Sequence, residues 1–343
     1  MAARAKGKLR VAVTGPTGEI GRAFIRALER SRDVGEIRGM ARRPFDSEAL
    51  GWKRATYVQG DILSEAAVAD LTEGADVVVH LAFVIFGDRD EAREVNLEGS
   101  RNVFRAAAKA SAKRLVYTSS VAAYGFHRDN PQPLTEDVEP RGTDGFYYSA
   151  QKAELERALS RSLGDARTKA YIFRPSIVAG PESLALVENM PYLQAAEALP
   201  ARLRRALATL PTPAPVLPDF GVPLQVVHAD DVATALRAAV VGRGKPGVYN
   251  LAAEGELSIA EIADELGWRS IKVPKAAIDA TAELLTRMPL ASARAEWLHT
   301  LRVPVVMDTA KARRELGWRR RFDASETLRQ TVAAARKAGL LQA

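Results

Sequence analysis

The sequence predicts an α/β protein in which a doubly wound parallel sheet is joined to a smaller C-terminal α/β domain. Three observations carry that expectation. Short β-branched runs alternate with amphipathic stretches from Val11 to Phe173, the pattern of parallel strands joined by crossover helices. The first run ends in a glycine-rich turn, "TGPTGEIG", that opens directly into a helical stretch. After Gly180 the chain changes character and becomes rich in Ala, Leu and Pro.

The elements follow in order. Val11–Val13 reads as a strand and Glu19–Arg30 as a helix. Glu36–Met40 and Thr56–Val58 read as strands, the latter running into "QGDIL". Val77–His80 is the next strand. Asn96–Ala110 is helical, with Val103, Ala106, Ala107 and Ala110 at the spacing of one face. Leu115–Thr118 is a strand, Tyr148 to Leu163 a helix, and Tyr171–Phe173 a strand ending at "RPS". Between Leu184 and Pro223 a helix is expected, then an extended connection through "LPTPAPVLPDFGVP". "LQVVHADDVATAL" reads as a strand and a helix capped by Asp230 or Asp231, and "GVYNLA" as a further strand. The last ~90 residues alternate helices with short extended pieces.

Composition narrows the chemistry. Hydrophobic residues make up 47% and charged residues 27% of 343, as in an ordinary globular protein with room for a large core. There is no cysteine, which excludes disulfides, thiol catalysis and thiolate metal sites. The histidines (His80, His127, His228 and His299) show no ligand spacing, so no metal is expected. The net charge of +7 raises the question of nucleic acid, but the basic residues are interleaved with acids and aromatics are only 6%. The densest basic cluster, "RRELGWRRRF" from Arg313, reads as a solvated helix end. No nucleic-acid partner is expected. The longest apolar run, Val77 to Phe86, is about half a membrane span, and no signal-peptide pattern is seen. A cytoplasmic protein without membrane contact is expected.

The glycine loop places Gly15, Gly18 and Gly21 between a first strand and a first helix. Glycine lets the backbone turn tightly and approach a pyrophosphate, and the helix N-terminus supplies free N–H groups. A plain turn is the alternative. The loop is expected to bind a dinucleotide through Gly15, Thr17, Gly18, Glu19, Ile20 and Gly21. An NAD site commonly has an acid at the end of the second strand, whereas this chain has "RGMARRP" there. The guanidinium groups of Arg42 and Arg43 suit a 2′-phosphate, so NADP is slightly favoured over NAD; the alternative is an arginine stacked on the adenine. Asp61, followed by Ile62 after the third strand, is placed to accept from the adenine amino group; it could also cap a helix.

Residues four apart share a helix face, and Tyr148 is four before Lys152 whereas Tyr147 is five before it. A surface pair on a helix is one reading. The other is chemical. A phenol is a poor acid–base group near neutrality, and an adjacent ammonium favours its ionised form, so a tyrosine so placed can exchange a proton with a substrate hydroxyl or carbonyl.

"TGPTGEIG", "GDI" at Gly60, "HLA" at His80, "VNLEGSRNV" at Val95, "YTSSVAAYG" at Tyr117, "YSAQKAELE" at Tyr148 and "RPSIVAGP" at Arg174 occur in that order, followed by "VVHADDVATAL", "GVYNLA" and "ARRELGW". Together they resemble the extended short-chain dehydrogenase/reductase family, which includes the NAD-dependent epimerases and dehydratases, over Val11 to about Val332. The resemblance implies a Rossmann-like NAD(P)-binding domain at residues 1–180, with segments returning near 224–252, and a mainly substrate-binding domain at 181–343. It implies Tyr148 as acid–base residue and Lys152 as its activator. Ser120 would bond the reacting oxygen, with Ser119 the alternative, and Asn96 would be in support. Leu81 and Ala82 would pass the cofactor with their backbone, and Pro175 and Ile177 would border the nicotinamide. Helices beside the active site commonly pair in the family, which makes a homodimer the expectation.

Two departures bear on the substrate. The family's sugar-nucleotide dehydratases carry Thr-Asp-Glu at the serine, where this chain has "SVA" from Ser120. Its epimerases usually carry an arginine six before the "DD" motif, where this chain has Leu224. Phe83 to Phe86, "FVIF", offers no base to a phosphate and either walls an apolar pocket or belongs to the core. The expectation is an NAD(P)-dependent oxidoreductase acting on an alcohol or ketone of an apolar, non-sugar small molecule. A nucleotide-sugar epimerase and a non-catalytic dinucleotide sensor are the alternatives.

Overall fold

The structure, a computed structural model, describes residues 7–48, 50–85, 89–188, 214–274 and 303–341. The strands are β1 (Leu9–Thr14), β2 (Val34–Ala41), β3 (Ala55–Gln59), β4 (Val77–His80), β5 (Arg114–Thr118), β6 (Lys169–Pro175), β7 (Ile177–Ala179), β8 (Val216–Asp219), β9 (Val226–His228), β10 (Gly247–Leu251) and β11 (Arg269–Lys272). The helices are α1 (Glu19–Glu29), α2 (Glu65–Thr72), α3 (Arg89–Glu94), α4 (Ser100–Lys109), α5 (Tyr147–Leu163), α6 (Ala185–Glu188), α7 (Ala229–Val240), α8 (Ile259–Leu266), α9 (Ala310–Leu316) and α10 (Ala324–Lys337).

Seven strands form one sheet in the order β10-β6-β5-β4-β1-β2-β3, and every pair is parallel. The strand order reverses between β1 and β4, the crevice where ligands of such sheets bind. Parallel strands covered on both faces read as continuous β-branched runs, and β4, "VVVH", is buried at all its positions. One face is covered by α1, α7 and α9, whose Phe24, Leu28, Val232, Leu236 and Leu316 pack with Val11, Val13 and Val79. The other is covered by α2, α4 and α5, with Val68, Phe104 and Leu155 against Val78 and Leu115. Ala312, Leu316 and Trp318 thus lie in the core of the large sheet although they belong to the last tenth of the chain. The small parallel pair β8–β11 stands apart from the main sheet, as does the pair β7–β9.

Several local expectations change in the structure. The helix expected at Asn96–Ala110 is a π-turn, Val95–Gly99, running into α4. Neither Asp230 nor Asp231 caps α7; the cap is His228, whose Nδ1 accepts from the Asp230 N–H at 3.1 Å. Asp231 is buried instead and accepts from the backbone N–H of Arg321 and Phe322 at 2.9 and 3.2 Å. The extended proline-rich piece contains β8; residues 189–213 of that region lie outside the described residues. In the C-terminal basic cluster Arg313 and Arg314 are exposed at the end of α9. Arg320 instead pairs with Glu254, and Arg321 with Asp230 and Asp231. Among the described residues no helix is long and apolar enough to cross a membrane, and no cluster of His, Asp and Glu could hold a metal ion.

Candidate active site

The three loop glycines have three different reasons to be glycine. Gly15 has φ +72°, and a Cβ there would lie 2.7 Å from the Ala82 nitrogen. The loop therefore crosses directly over Leu81–Ala82, and the Leu81 N–H donates to the Thr14 carbonyl at 3.1 Å. At Gly21 a Cβ would lie 2.2 Å from the Gly15 carbonyl, so α1 can approach its own turn only without a side chain. At Gly18 the nearest protein atom would be 3.6 Å away, and φ is an ordinary −74°. Nothing in the protein demands glycine there. Gly18 is exposed and is the N-cap of α1 with no side-chain cap, so the helix N-terminus opens onto a clear surface, a cradle that fits a pyrophosphate. Thr17, Glu19 and Ile20 lie along the same turn, half-buried; the Thr17 carbonyl accepts from Arg22 Nε at 2.9 Å.

The far end of the crevice is marked by Arg42 and Arg43, both exposed just past β2. Arg42 pairs with Glu91 of α3 at 3.2 Å. Their backbone carbonyls are held from β3, Arg42 by Gln59 Nε2 at 3.0 Å and Arg43 by the Tyr57 hydroxyl. Tyr57 in turn packs on Phe45, and Phe45 on Trp52. This aromatic buttress fixes where the two guanidinium groups start. Asp61 accepts from the Leu63 N–H at 2.9 Å; it is not a helix cap, since Ser64 caps α2. Ile62 is buried against Gly99 and belongs to the core beneath the crevice.

At the other end of the crevice, α5 presents Tyr148 and Lys152 to the C-terminal tips of β4 and β5. Tyr148 shares a hydrogen bond with Ser120, and its phenol is pushed up to about 12 by burial, against the pull of Ser120. Lys152 Nζ donates to the Thr118 carbonyl at 3.0 Å and is pushed down to about 7 by burial, partly offset by Glu156. Near neutrality the lysine is thus divided between its two forms. Phe83 lies over this pair, with Nζ 3.7 Å from its ring centroid and its ring edge-on to Tyr148 at 5.5 Å. It is half-buried and packs against the core beneath as well as walling the site; Phe86 lies outside the described residues. Tyr147 turns away and donates to the Ile85 carbonyl.

The choice between the two serines is geometric. Ser119 donates to Glu156 at 2.6 Å, beneath the site, whereas Ser120 faces Tyr148 and caps the short 3-10 turn Val121–Tyr124 at 3.1 Å. Asn96 accepts from the Val84 N–H at 2.8 Å and donates to the Val84 carbonyl and to Gln151 at 2.9 Å each. The π-turn that carries Asn96 therefore pins the wall Leu81–Ile85 to α5, in keeping with the tendency of such turns to occur at functional sites. Pro175 is buried at the end of β6, and Ile177 is half-buried in β7. Thr118 Oγ1 and Ser176 Oγ, also buried at these strand ends, have no hydrogen-bond partner in the protein. Together with the clear surface at Gly18 they fit a crevice built for a polar ligand. Gln151, Glu156 and Arg174 were not singled out from the sequence as site residues. Glu156 stands four past Lys152 and eight past Tyr148, so the spacing argument that found the pair would have found it too.

His80, at the tip of β4, is not a ligand or base. It is fully buried between Thr14 Oγ1 at 2.6 Å and Ser100 Oγ at 2.8 Å, and burial, with Lys152 nearby, pushes it down to about 3 from 6.5. Between pH 6.5 and about 3 the unfolded chain binds a proton there that the native state does not. Stability should therefore fall as pH drops through that window, at up to about 1.4 kcal/mol per pH unit from this group. His80→Gln should flatten the slope, which denaturant unfolding from pH 6 to pH 4 would measure.

A doubly wound sheet with a glycine turn at its switch point and a Ser-Tyr-Lys cluster at its strand tips defines a nicotinamide-dinucleotide class of site. Comparison with known proteins identifies the family. The model of the NAD dependent epimerase/dehydratase family matches residues 11–252, and the chain belongs to that family. It is 34% identical over 154 residues to L-arabinose 1-dehydrogenase (NAD(P)(+)) of Haloferax volcanii, covering 42% of this chain and 57% of that protein. It is 30% identical over 187 residues to 2-alkyl-3-oxoalkanoate reductase of Shewanella oneidensis, covering 52% of this chain and 47% of that protein. The match thus spans about half the length of these relatives. A solved short-chain dehydrogenase/reductase superfamily protein from Agrobacterium tumefaciens with bound NAD has the same fold, with a TM-score of 0.71 at 20% identity over 96% of this chain and 98% of that one.

Proposed function

We propose that this protein is an NAD(P)-dependent oxidoreductase that moves hydride between a nicotinamide and an alcohol or ketone of an apolar, non-sugar substrate. The observation that carries the reading is the hydroxyl pair of buried Ser120 and half-buried Tyr148, with Lys152 behind it and the Phe83 ring over it. A bound nicotinamide dinucleotide would supply the hydride donor or acceptor. The glycine turn, the Leu81–Ala82 backbone and Lys152 would hold it. Arg42 and Arg43 favour NADP, as guanidinium groups suited to a 2′-phosphate. The protein's own work is proton transfer and charge control. Tyr148, held as a phenol by burial, donates a proton to a carbonyl oxygen as that oxygen gains charge; Ser120 donates a hydrogen bond to the same oxygen.

The apolar wall supports the substrate class. The residues after Ser120 are Val121 and Ala122, which offer no carboxyl group for eliminating water. Leu224 stands where an arginine would grip a diphosphate, and its backbone is tied across to Leu257 at 2.8 and 2.9 Å. One relative is named a 2-alkyl-3-oxoalkanoate reductase, in keeping with reduction of an apolar ketone; the other is named a dehydrogenase of the sugar L-arabinose and supports NAD(P)-dependent oxidation only. The competing reading is a nucleotide-sugar epimerase, which returns its hydride within a cycle and keeps its cofactor. Protein purified without added cofactor, then denatured, tells them apart. An empty protein that binds NADPH more tightly than NADH and consumes it with ketones is expected. Stoichiometric retained NAD would overturn the oxidoreductase and favour the epimerase.

A further inference from the structure

Beneath the Tyr148–Lys152 pair lies a buried charged network. Glu156 is 5% exposed and Arg174 2%. Arg174 donates through Nε and Nη2 to the two carboxylate oxygens at 2.9 and 2.6 Å, a bidentate pair. Ser119 donates to the same carboxylate at 2.6 Å. The guanidinium also lies over the Tyr124 ring at 4.3 Å and donates to the Val138 carbonyl at 3.3 Å. One carboxylate therefore ties α5 to the tips of β5 and β6.

A buried ion pair contributes little net stability, since desolvation offsets attraction, so stability alone does not account for this one. Its placement does. Ser119 is the neighbour of Ser120, and its N–H donates to the Phe173 carbonyl at 2.7 Å. With Thr118 held by Lys152 and Ser119 held by Glu156, two residues in a row are anchored to α5, and Ser120 follows with its hydroxyl on Tyr148. Glu156 is also one helical turn past Lys152 on the same face.

We propose that Glu156 is a positioning residue of this site: its carboxylate aligns the Thr118–Ser120 segment with α5 and sets a negative charge one helical turn from Lys152, favouring the ammonium form beside Tyr148. The proposal rests on Tyr148 and Lys152 being the acid–base pair. The groups that face Lys152 are His80 from β4, Phe83 from the wall, Tyr117 and the Thr118 carbonyl from β5, and Tyr148 and Glu156 from α5. Arg174, from β6, reaches the group only through Glu156. Of these, Glu156 is the carboxylate, and burial opposes it.

The test reads Lys152 directly, in cofactor-free protein with no substrate, so its outcome is separate from the choice of substrate. The ε-carbon of Lys152 is followed by NMR through a pH titration and assigned with Lys152→Met. In Glu156→Gln the midpoint is expected to fall by about one pH unit, with Glu156→Asp restoring most of the shift. If Glu156→Gln does not fold, Glu156→Gln/Arg174→Gln removes the pair together, and a smaller fall in the same direction is expected because the opposing Arg174 charge goes with it. A folded variant of either kind in which Lys152 titrates as in the parent protein would overturn the proposal and leave the pair a purely structural tie.

Discussion

Tyr148→Phe is expected to lower turnover by about 10²–10⁴-fold while leaving dinucleotide binding intact. The change deletes one hydroxyl and keeps the ring, which packs on Phe83 at 5.5 Å and Phe146 at 6.0 Å. The site's shape should survive. What is lost is the group that gives its proton to the substrate oxygen. The protein alone holds that phenol protonated, at about 12, which suits it to give a proton to a ketone. Steady-state rates with a responsive ketone and NADPH, beside a fluorescence titration of NADPH, check both halves. Unchanged turnover would remove Tyr148 from the chemistry. Lost turnover together with lost binding would point to a collapsed site instead.

The second large effect separates two glycines that look alike in sequence. Gly15→Ala should destabilise the protein. Its φ of +72° costs a side chain about 1–3 kcal/mol, and its Cβ would meet the Ala82 backbone at 2.7 Å, where nothing flexible can give way. Gly18→Ala should leave the melting temperature nearly unchanged, because its φ is ordinary and its nearest contact is 3.6 Å. The cost appears when a pyrophosphate approaches that backbone, so affinity for NADPH should drop by about tenfold or more. Thermal unfolding with and without NADPH reads both variants. Equal affinity in Gly18→Ala would mean that the dinucleotide does not lie on this turn.

Much of this was legible before the structure. The strand–helix alternation predicts the doubly wound sheet because parallel strands buried on two faces have a distinctive composition, as in "VVVH" of β4. The i, i+4 rule predicts Tyr148 rather than Tyr147 as the partner of Lys152, and Tyr147 does turn away to Ile85. Less visible was what depends on three-dimensional neighbours. Nothing local distinguishes Ser119 from Ser120; only the approach of Glu156 from α5 assigns one to the network and the other to the tyrosine. The cap of α7 is hidden in the sequence because a histidine takes a role that aspartate usually fills. The π-turn at Asn96 looks like ordinary helix in sequence because a single inserted residue barely disturbs a 3.6-residue pattern.

The seventh strand has a consequence for how the chain is made. β6 pairs with β5 on one side, but its other edge is covered by β10, through partners such as Tyr171 and Gly247. During synthesis that edge emerges first and stays uncovered until residues 247–251 follow, on the order of ten seconds later. Over that interval a strand rich in aromatic and β-branched residues, "KAYIFRP", offers open hydrogen-bonding groups to any neighbouring chain. The nascent protein is thus most prone to aggregation midway through translation, and rare codons or a stalled ribosome between Pro175 and Gly247 would prolong that exposure.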